Sequence, residues 1–89
     1  MLTRHVIIIN KLGLHARAAA RFVTVASRFN CEIKVRRGAR TVNGKSIMGV
    51  MMLAAAKGAE LDVIADGEDE EAAQLALAQV IAERFGEPE

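Results

Sequence analysis

Five consecutive residues, Gly13-Leu14-His15-Ala16-Arg17, combine the parts of an anion-handling site. The pattern turns helical directly after His15, which places this residue at or next to a helix N-cap. A histidine there has one ring edge in solvent and the other near backbone N–H groups that no helical carbonyl reaches. The positive end of a helix favours the neutral, nucleophilic form of an imidazole. A phosphoryl group added to the ring would be held by those amides and by the Arg17 guanidinium, a good donor to phosphate oxygens. The dipole contributes only about 0.3–1 kcal/mol, and about 2 at best. So modest a value suits a group that must release its cargo as readily as it accepts it. A plainer reading, a capping histidine in an exposed loop, fits the same five residues.

A second segment, Asn43-Gly44-Lys45-Ser46-Ile47-Met48-Gly49-Val50-Met51-Met52, reads as a loop and a short helix through Leu53. Ser46 is placed to cap that helix. Ile47, Met48, Met51 and Met52 are more apolar positions than one core face can use, so some of them are expected on the surface, as a soft patch for partners. A phosphate on Ser46 would be tolerated by the helix start but unwelcome to a partner docking on the apolar patch. Lys45 reads equally as a phosphate-steering charge or a solvated one. His5 reads as surface, and Cys31 as a buried or edge residue rather than a nucleophile. Two histidines this far apart, without a carboxylate cluster, give little support to a metal site.

The elements that must position these residues follow from periodicity. Val6–Ile9 is a β-branched run and reads as a strand. From Ala16 to Phe29, Ala19, Phe22, Val23, Ala26 and Phe29 recur at three- and four-residue steps, with Arg17, Arg21, Thr24 and Arg28 off that face. Glu32–Arg36 and Arg40–Val42 form a hairpin about Arg37-Gly38-Ala39. Lys34, Arg36, Arg37 and Arg40 then read as a solvated strand edge, charged against edge pairing. Leu61, Val63 and Ala65 alternate along a fourth strand. A last helix follows Asp66-Gly67-Glu68-Asp69, with Ala73, Ala76, Leu77, Val80 and Ile81 as its core stripe. It ends at Phe85-Gly86, leaving Glu87-Pro88-Glu89 frayed. The order βαββαβα, with helices enough for one sheet face, makes an α+β open-faced sandwich the economical fold.

Composition bounds the rest. The 89 residues read as a single domain, 1–89, with 52% apolar residues but only three aromatics, all Phe. The core is therefore expected from Ala, Val, Ile, Leu and Met. A lone cysteine excludes an internal disulfide and fits a reducing cytoplasm. Neither a signal peptide nor a membrane-length apolar run is recognisable. A net charge of +1 argues against nucleic acid. Eight of the 12 basic residues nevertheless lie between Lys11 and Arg40, whereas acids crowd the last helix. One basic face suited to an anion or an acidic partner follows. An α+β nucleic-acid module would need exposed sheet aromatics, and a small-ligand regulatory domain would normally dimerise.

With these residues in view, Asn10-Lys11-Leu12-Gly13-Leu14-His15-Ala16-Arg17 resembles the active-site motif of the HPr family, the histidine-containing phosphocarriers of the bacterial phosphoenolpyruvate-dependent phosphotransferase system. Asn43-Gly44-Lys45-Ser46-Ile47-Met48-Gly49 resembles the family's regulatory serine motif, and Ala56-Lys57-Gly58 and Asp66-Gly67-Glu68-Asp69 also fit. The resemblance spans the whole chain. It implies a four-stranded antiparallel sheet under three helices and phosphorylation of His15 through Nδ1 by phosphorylated enzyme I, with Arg17 neutralising the phosphoryl group. It further implies transfer to enzyme IIA-type acceptors, modification of Ser46 by an HPr kinase/phosphorylase, and a docking surface of Ala20, Lys45, Ile47, Met48 and Met51. A cytoplasmic monomer without cofactor or metal, and without turnover chemistry of its own, is expected. A regulatory or nitrogen-branch paralogue is the alternative. One position departs from the pattern: the family usually has Pro after the Arg, and here Ala18 stands there, restoring an amide N–H that Pro lacks.

Overall fold

The computed structural model describes residues 1–89. Its elements are β1 (Leu2–Ile7), α1 (Ala16–Ala26), β2 (Glu32–Arg37), β3 (Arg40–Asn43), α2 (Ile47–Met51), β4 (Glu60–Asp66), α3 (Glu70–Ala82) and a 3-10 turn (Arg84–Gly86). The strands form one antiparallel sheet in the order β1-β4-β2-β3. Alternation sets its two faces. Leu61, Val63 and Ala65 of β4 and Ile33 and Val35 of β2 are buried beneath the helices with Phe22, Val25, Leu77 and Ile81. The other face stays open to solvent, as the α+β open-faced sandwich requires.

β1 begins four residues earlier than the apolar run indicates and ends at Ile7. Thr3, Arg4 and His5 do not look like strand residues, but β4 supplies a partner for each: Ile64, Val63 and Asp62. His5 lies on the open face in a charged row. Its Nδ1 is 3.0 Å from Asp62, its Nε2 is 2.8 Å from Glu60, and Asp62 also accepts from Arg36 at 2.9 Å. With carboxylates on both ring nitrogens, first Asp62 and then Glu60, the protonated ring is favoured and its pKa is raised. A folded value above the unfolded one, about 6.5, makes this contribution complete below about pH 6.5 and lost as pH rises through the folded value. Denaturant unfolding should therefore separate His5→Ala from the wild type more at about pH 5.5 than at about pH 9.

Three further expectations need correction. The core contains no methionine: Met1, Met48, Met51 and Met52 are all exposed, and Phe22, Phe85 and Cys31 fill the volume instead. Arg37 and Arg40 are not simply solvated. Arg37 donates to the carbonyls of Leu53 (2.9 Å) and Ala54 (3.1 Å), and Arg40 to Met52 (2.7 Å), because carbonyls past the end of α2 lack helical donors. In α3, Gln74 is buried where the apolar stripe passes, and its Nε2 donates to Leu2 (3.0 Å) and Val63 (2.7 Å), tying the helix to β1 and β4. Ala76 is only half-buried.

The segment after α3 is ordered rather than frayed. Arg84 and Phe85 both take left-handed backbone conformations (φ 57° each), a cost of about 1–3 kcal/mol per residue. Burial of the Phe85 ring, 5% exposed, offsets this by about 1.5–3 kcal/mol. The turn it makes sends Glu87 back across the start of α1, and the Glu89 carbonyl accepts from the Lys11 amide at 3.1 Å.

Candidate functional site

The loop before α1 is held by backbone contacts that leave little freedom. The Leu14 amide donates to Ala55 at 2.9 Å, and Gly13 donates to Asn10 at 3.2 Å. Gly13 has φ +69°, and a Cβ there would strike the Ala55 carbonyl and lie 2.9 Å from Ala56 Cα. Both the positive φ and the contact demand glycine. Gly13→Ala should therefore cost about 2 kcal/mol or more in denaturant unfolding, and should disturb the His15 amide signal before those of the sheet.

His15 is the N-cap residue of α1, in extended conformation, and its side chain makes no capping hydrogen bond. The first bond of the helix runs from the Ala19 amide to the His15 carbonyl at 2.9 Å. The amides of Ala16, Arg17 and Ala18 precede it and have no helical acceptor. Ala18, fully buried, thus adds an N–H to this turn that a proline would remove. Arg17 follows at the second helical position, exposed. Arg36, Arg37 and Arg40 are tied to carboxylates or carbonyls, whereas no such partner occupies the Arg17 guanidinium.

The His15 side chain is 31% exposed, and its Nε2 contacts Oε2 of Glu87, whose own side chain is 11% exposed. The other oxygen of Glu87 accepts from Asn10 Nδ2 at 2.9 Å, and the same Asn10 nitrogen donates to the Gly13 carbonyl at 2.8 Å. The Asn10 N–H and, after it, His15 and nearby Arg17 hold the Glu87 carboxyl below its ordinary pKa, against the opposing effect of its partial burial. Asn10 opens the motif around His15 without a role of its own in the sequence, and Glu87 does not stand out there. Asn10 reads there as a loop residue and Glu87 as part of a loose end. The turn at Phe85 brings Glu87 to His15, where Asn10, in the loop before α1, bonds it.

The other singled-out residues lie elsewhere. Ser46 caps α2 through its hydroxyl, which accepts from the Gly49 amide at 3.0 Å. Ile47, Met48 and Met51 beside it are 44%, 73% and 41% exposed, an apolar surface carried by a one-and-a-half-turn helix. Ala20 is half-buried on α1, which packs against α2. Lys45 Nζ donates to the Phe29 carbonyl at 2.6 Å, just past the far end of α1 from His15. The helix geometry thus gives Lys45 a carbonyl partner, a third role beside steering and simple solvation. Cys31 is buried, and burial first of all pushes its thiol up. No group of His, Cys, Asp and Glu has the arrangement of a metal site, and no helix is long and apolar enough to cross a membrane.

Comparison with known proteins gives a consistent result. A family profile described as "PTS HPr component phosphorylation site" matches residues 2–83. The chain is 53% identical to the phosphocarrier protein HPr of Cupriavidus necator over 89 residues, all of both chains. It superposes on a crystal structure of HPr-C-His from Thermoanaerobacter tengcongensis with a TM-score of 0.95, 45% identity and full coverage of both. A structure described as an HPr dimer from the same organism matches at 0.79 and 48% identity, over 92% of this chain and 94% of that one.

Proposed function

We propose, from the premise that this chain belongs to the HPr family of phosphotransferase-system phosphocarriers, that it takes a phosphoryl group from phosphorylated enzyme I onto Nδ1 of His15 and passes it to enzyme IIA-type acceptors. By family it is a phosphocarrier and not a turnover enzyme. The observation that carries the finer reading is the setting of one ring: His15 is part-exposed at a helix start, Nε2 is occupied by Glu87, and Nδ1 is left for chemistry. The helix-start amides and the free Arg17 guanidinium supply donors for a phosphoryl group on Nδ1. Ala18 leaves both residues in place, and its amide adds a donor, so transfer survives the missing proline.

Docking is assigned to Ala20, Lys45, Ile47, Met48 and Met51, with Lys45 acting through the α1 end it ties down. Ser46 is the position where an HPr kinase/phosphorylase would regulate the carrier, since a phosphate there lies next to the exposed Ile47 and Met48. That placement also favours the second reading, a regulatory paralogue signalling through Ser46. We place the protein in the cytoplasm as a monomer. The charged open face of the sheet, with Lys34, Arg36, Glu60 and Asp62, supports the monomer because apolar area for face-to-face association is scarce there. Protein labelled through enzyme I and then mixed with a purified enzyme IIA-type domain tests the reading. Label should move to the acceptor, and label that stays on this chain would contradict a carrier and favour the regulator.

A further inference from the structure

We propose that Met48, Met51 and Met52 are a modification site: a peroxide-class oxidant converts their thioethers to sulfoxides, and α2 then loses its partners until the oxygens are removed. The proposal rests on the reading of α2 as a docking surface. All four methionines of the chain are exposed, and these three fall within residues 48–52. Steps of three and four along a helix put Met51 and Met52 beside Met48 on one face. Met52, outside the docking residues named above, is 56% exposed and extends that face toward the groove at Arg37, Gly38 and Arg40. The anchoring of α2 uses none of the three side chains. Val50 is fully buried, Ser46 caps one end, and Arg37 and Arg40 bind carbonyls at and beyond the other. The two remaining sulfurs differ. Cys31 is 3% exposed, out of a peroxide's reach. Met1 is open, but it sits beside Asp66 and Glu70, to which its terminal amine is paired.

The step balances at sulfur. With hydrogen peroxide, a thioether lone pair attacks one peroxide oxygen, an S–O bond forms and the O–O bond breaks. The proton on the transferred oxygen goes to the departing hydroxide, so sulfur is oxidised and the peroxide is reduced to water. Reversal draws electrons from a dithiol through the two epimer-specific methionine sulfoxide reductases, and yields thioether, disulfide and water. A polarisable sulfur is what makes methionine a soft, adaptable contact, and oxidation replaces it with a strong S–O dipole. A partner that covers this oxygen without offering it a donor strips it of water, which lowers affinity about tenfold or more for each such group. In the free protein the oxygen stays hydrated, and nothing in the core is touched. The same face is therefore apolar when reduced and polar when oxidised, with the fold unchanged.

Full-length protein treated with hydrogen peroxide tests this, with fragment mass locating each added oxygen and denaturant unfolding reporting the fold. Met48, Met51 and Met52 should each take up oxygen, Cys31 should not, and the unfolding curve should stay in place. Initial rates of loading from phosphorylated enzyme I should show KM raised about tenfold or more with kcat kept, the mark of lost binding. The reductases with a dithiol should restore KM. A triple variant, Met48→Leu, Met51→Leu and Met52→Leu, should show whatever KM it has equally before and after peroxide, although Met1 is still oxidised. An oxidised wild type with unchanged KM, or a triple variant whose KM rises as far as the wild type's, overturns the proposal alone. Without peroxide, Met48→Gln combined with Met51→Gln should itself raise KM. A wild-type KM in that double variant overturns the docking reading and takes this one with it.

Discussion

Arg17→Ala should slow the loading of His15 by about 100-fold while leaving the fold untouched. The sequence puts Arg17 two residues after the ring, and the helix makes that distance short, at a position exposed and free of competing partners. A charge-assisted hydrogen bond contributes about 1.5–3 kcal/mol, and loss of one preorganised donor at a developing anion costs about 10²–10³ in rate. The second range is the more relevant, since charge builds on the phosphoryl oxygens during transfer. Arg17→Lys should keep the charge but lose the planar fork, for a smaller loss of about 10-fold. Rapid-quench measurement of transfer from phosphorylated enzyme I gives both rates. Stability should stay within about 0.5 kcal/mol of wild type for either variant, as expected of an exposed site. An Arg17→Ala protein that loads at the wild-type rate would leave the amides of the first turn as the only phosphate donors.

Phe85→Ala should cost about 3–5 kcal/mol of unfolding free energy. That is a large share of the about 5–15 kcal/mol a domain has in total. The ring is 5% exposed and sits in the same cluster as Leu77, Ile81 and Phe22. Its burial is also what offsets two left-handed residues in the turn. Truncation should therefore do more than open a cavity. With no ring to anchor the turn, the backbone at positions 84 and 85 should return to ordinary angles, and Glu87 should leave His15 and Asn10. Phe85→Leu, which keeps most of the apolar volume, should be milder and should retain the Glu87 contact. Denaturant unfolding gives the cost, and loss of the Asn10 side-chain NH₂ signals from their protected position reports the detachment.

Much of this arrangement is legible in the sequence, and where it is not the reason is specific. The apolar face of α1, the hairpin and the caps at His15 and Ser46 depend on neighbours three or four residues away, or on turn chemistry, and periodicity reveals them. β1 is different. Thr3, Arg4 and His5 become a strand because β4 supplies partners for them across the sheet, and no local pattern carries that. Arg37 and Arg40 look like edge protection until the end of α2 arrives to claim them. Composition alone lists methionine among the core residues, whereas the surplus of apolar positions at Ile47, Met48, Met51 and Met52 puts some of them on the surface, where all four lie. Glu87 is the most consequential omission. It lies 72 residues from His15 and reaches it only through a turn whose backbone angles a non-glycine sequence disguises.

The central claim is that His15 of this chain accepts a phosphoryl group, and intact mass after incubation with phosphoenolpyruvate and enzyme I tests it most directly, on the wild type and on His15→Ala. The wild type should gain one acid-labile phosphoryl group and His15→Ala none, which would also establish that Ala18 is compatible with loading. No gain in the wild type, or an equal gain in both proteins, would contradict the account and shift attention to Ser46.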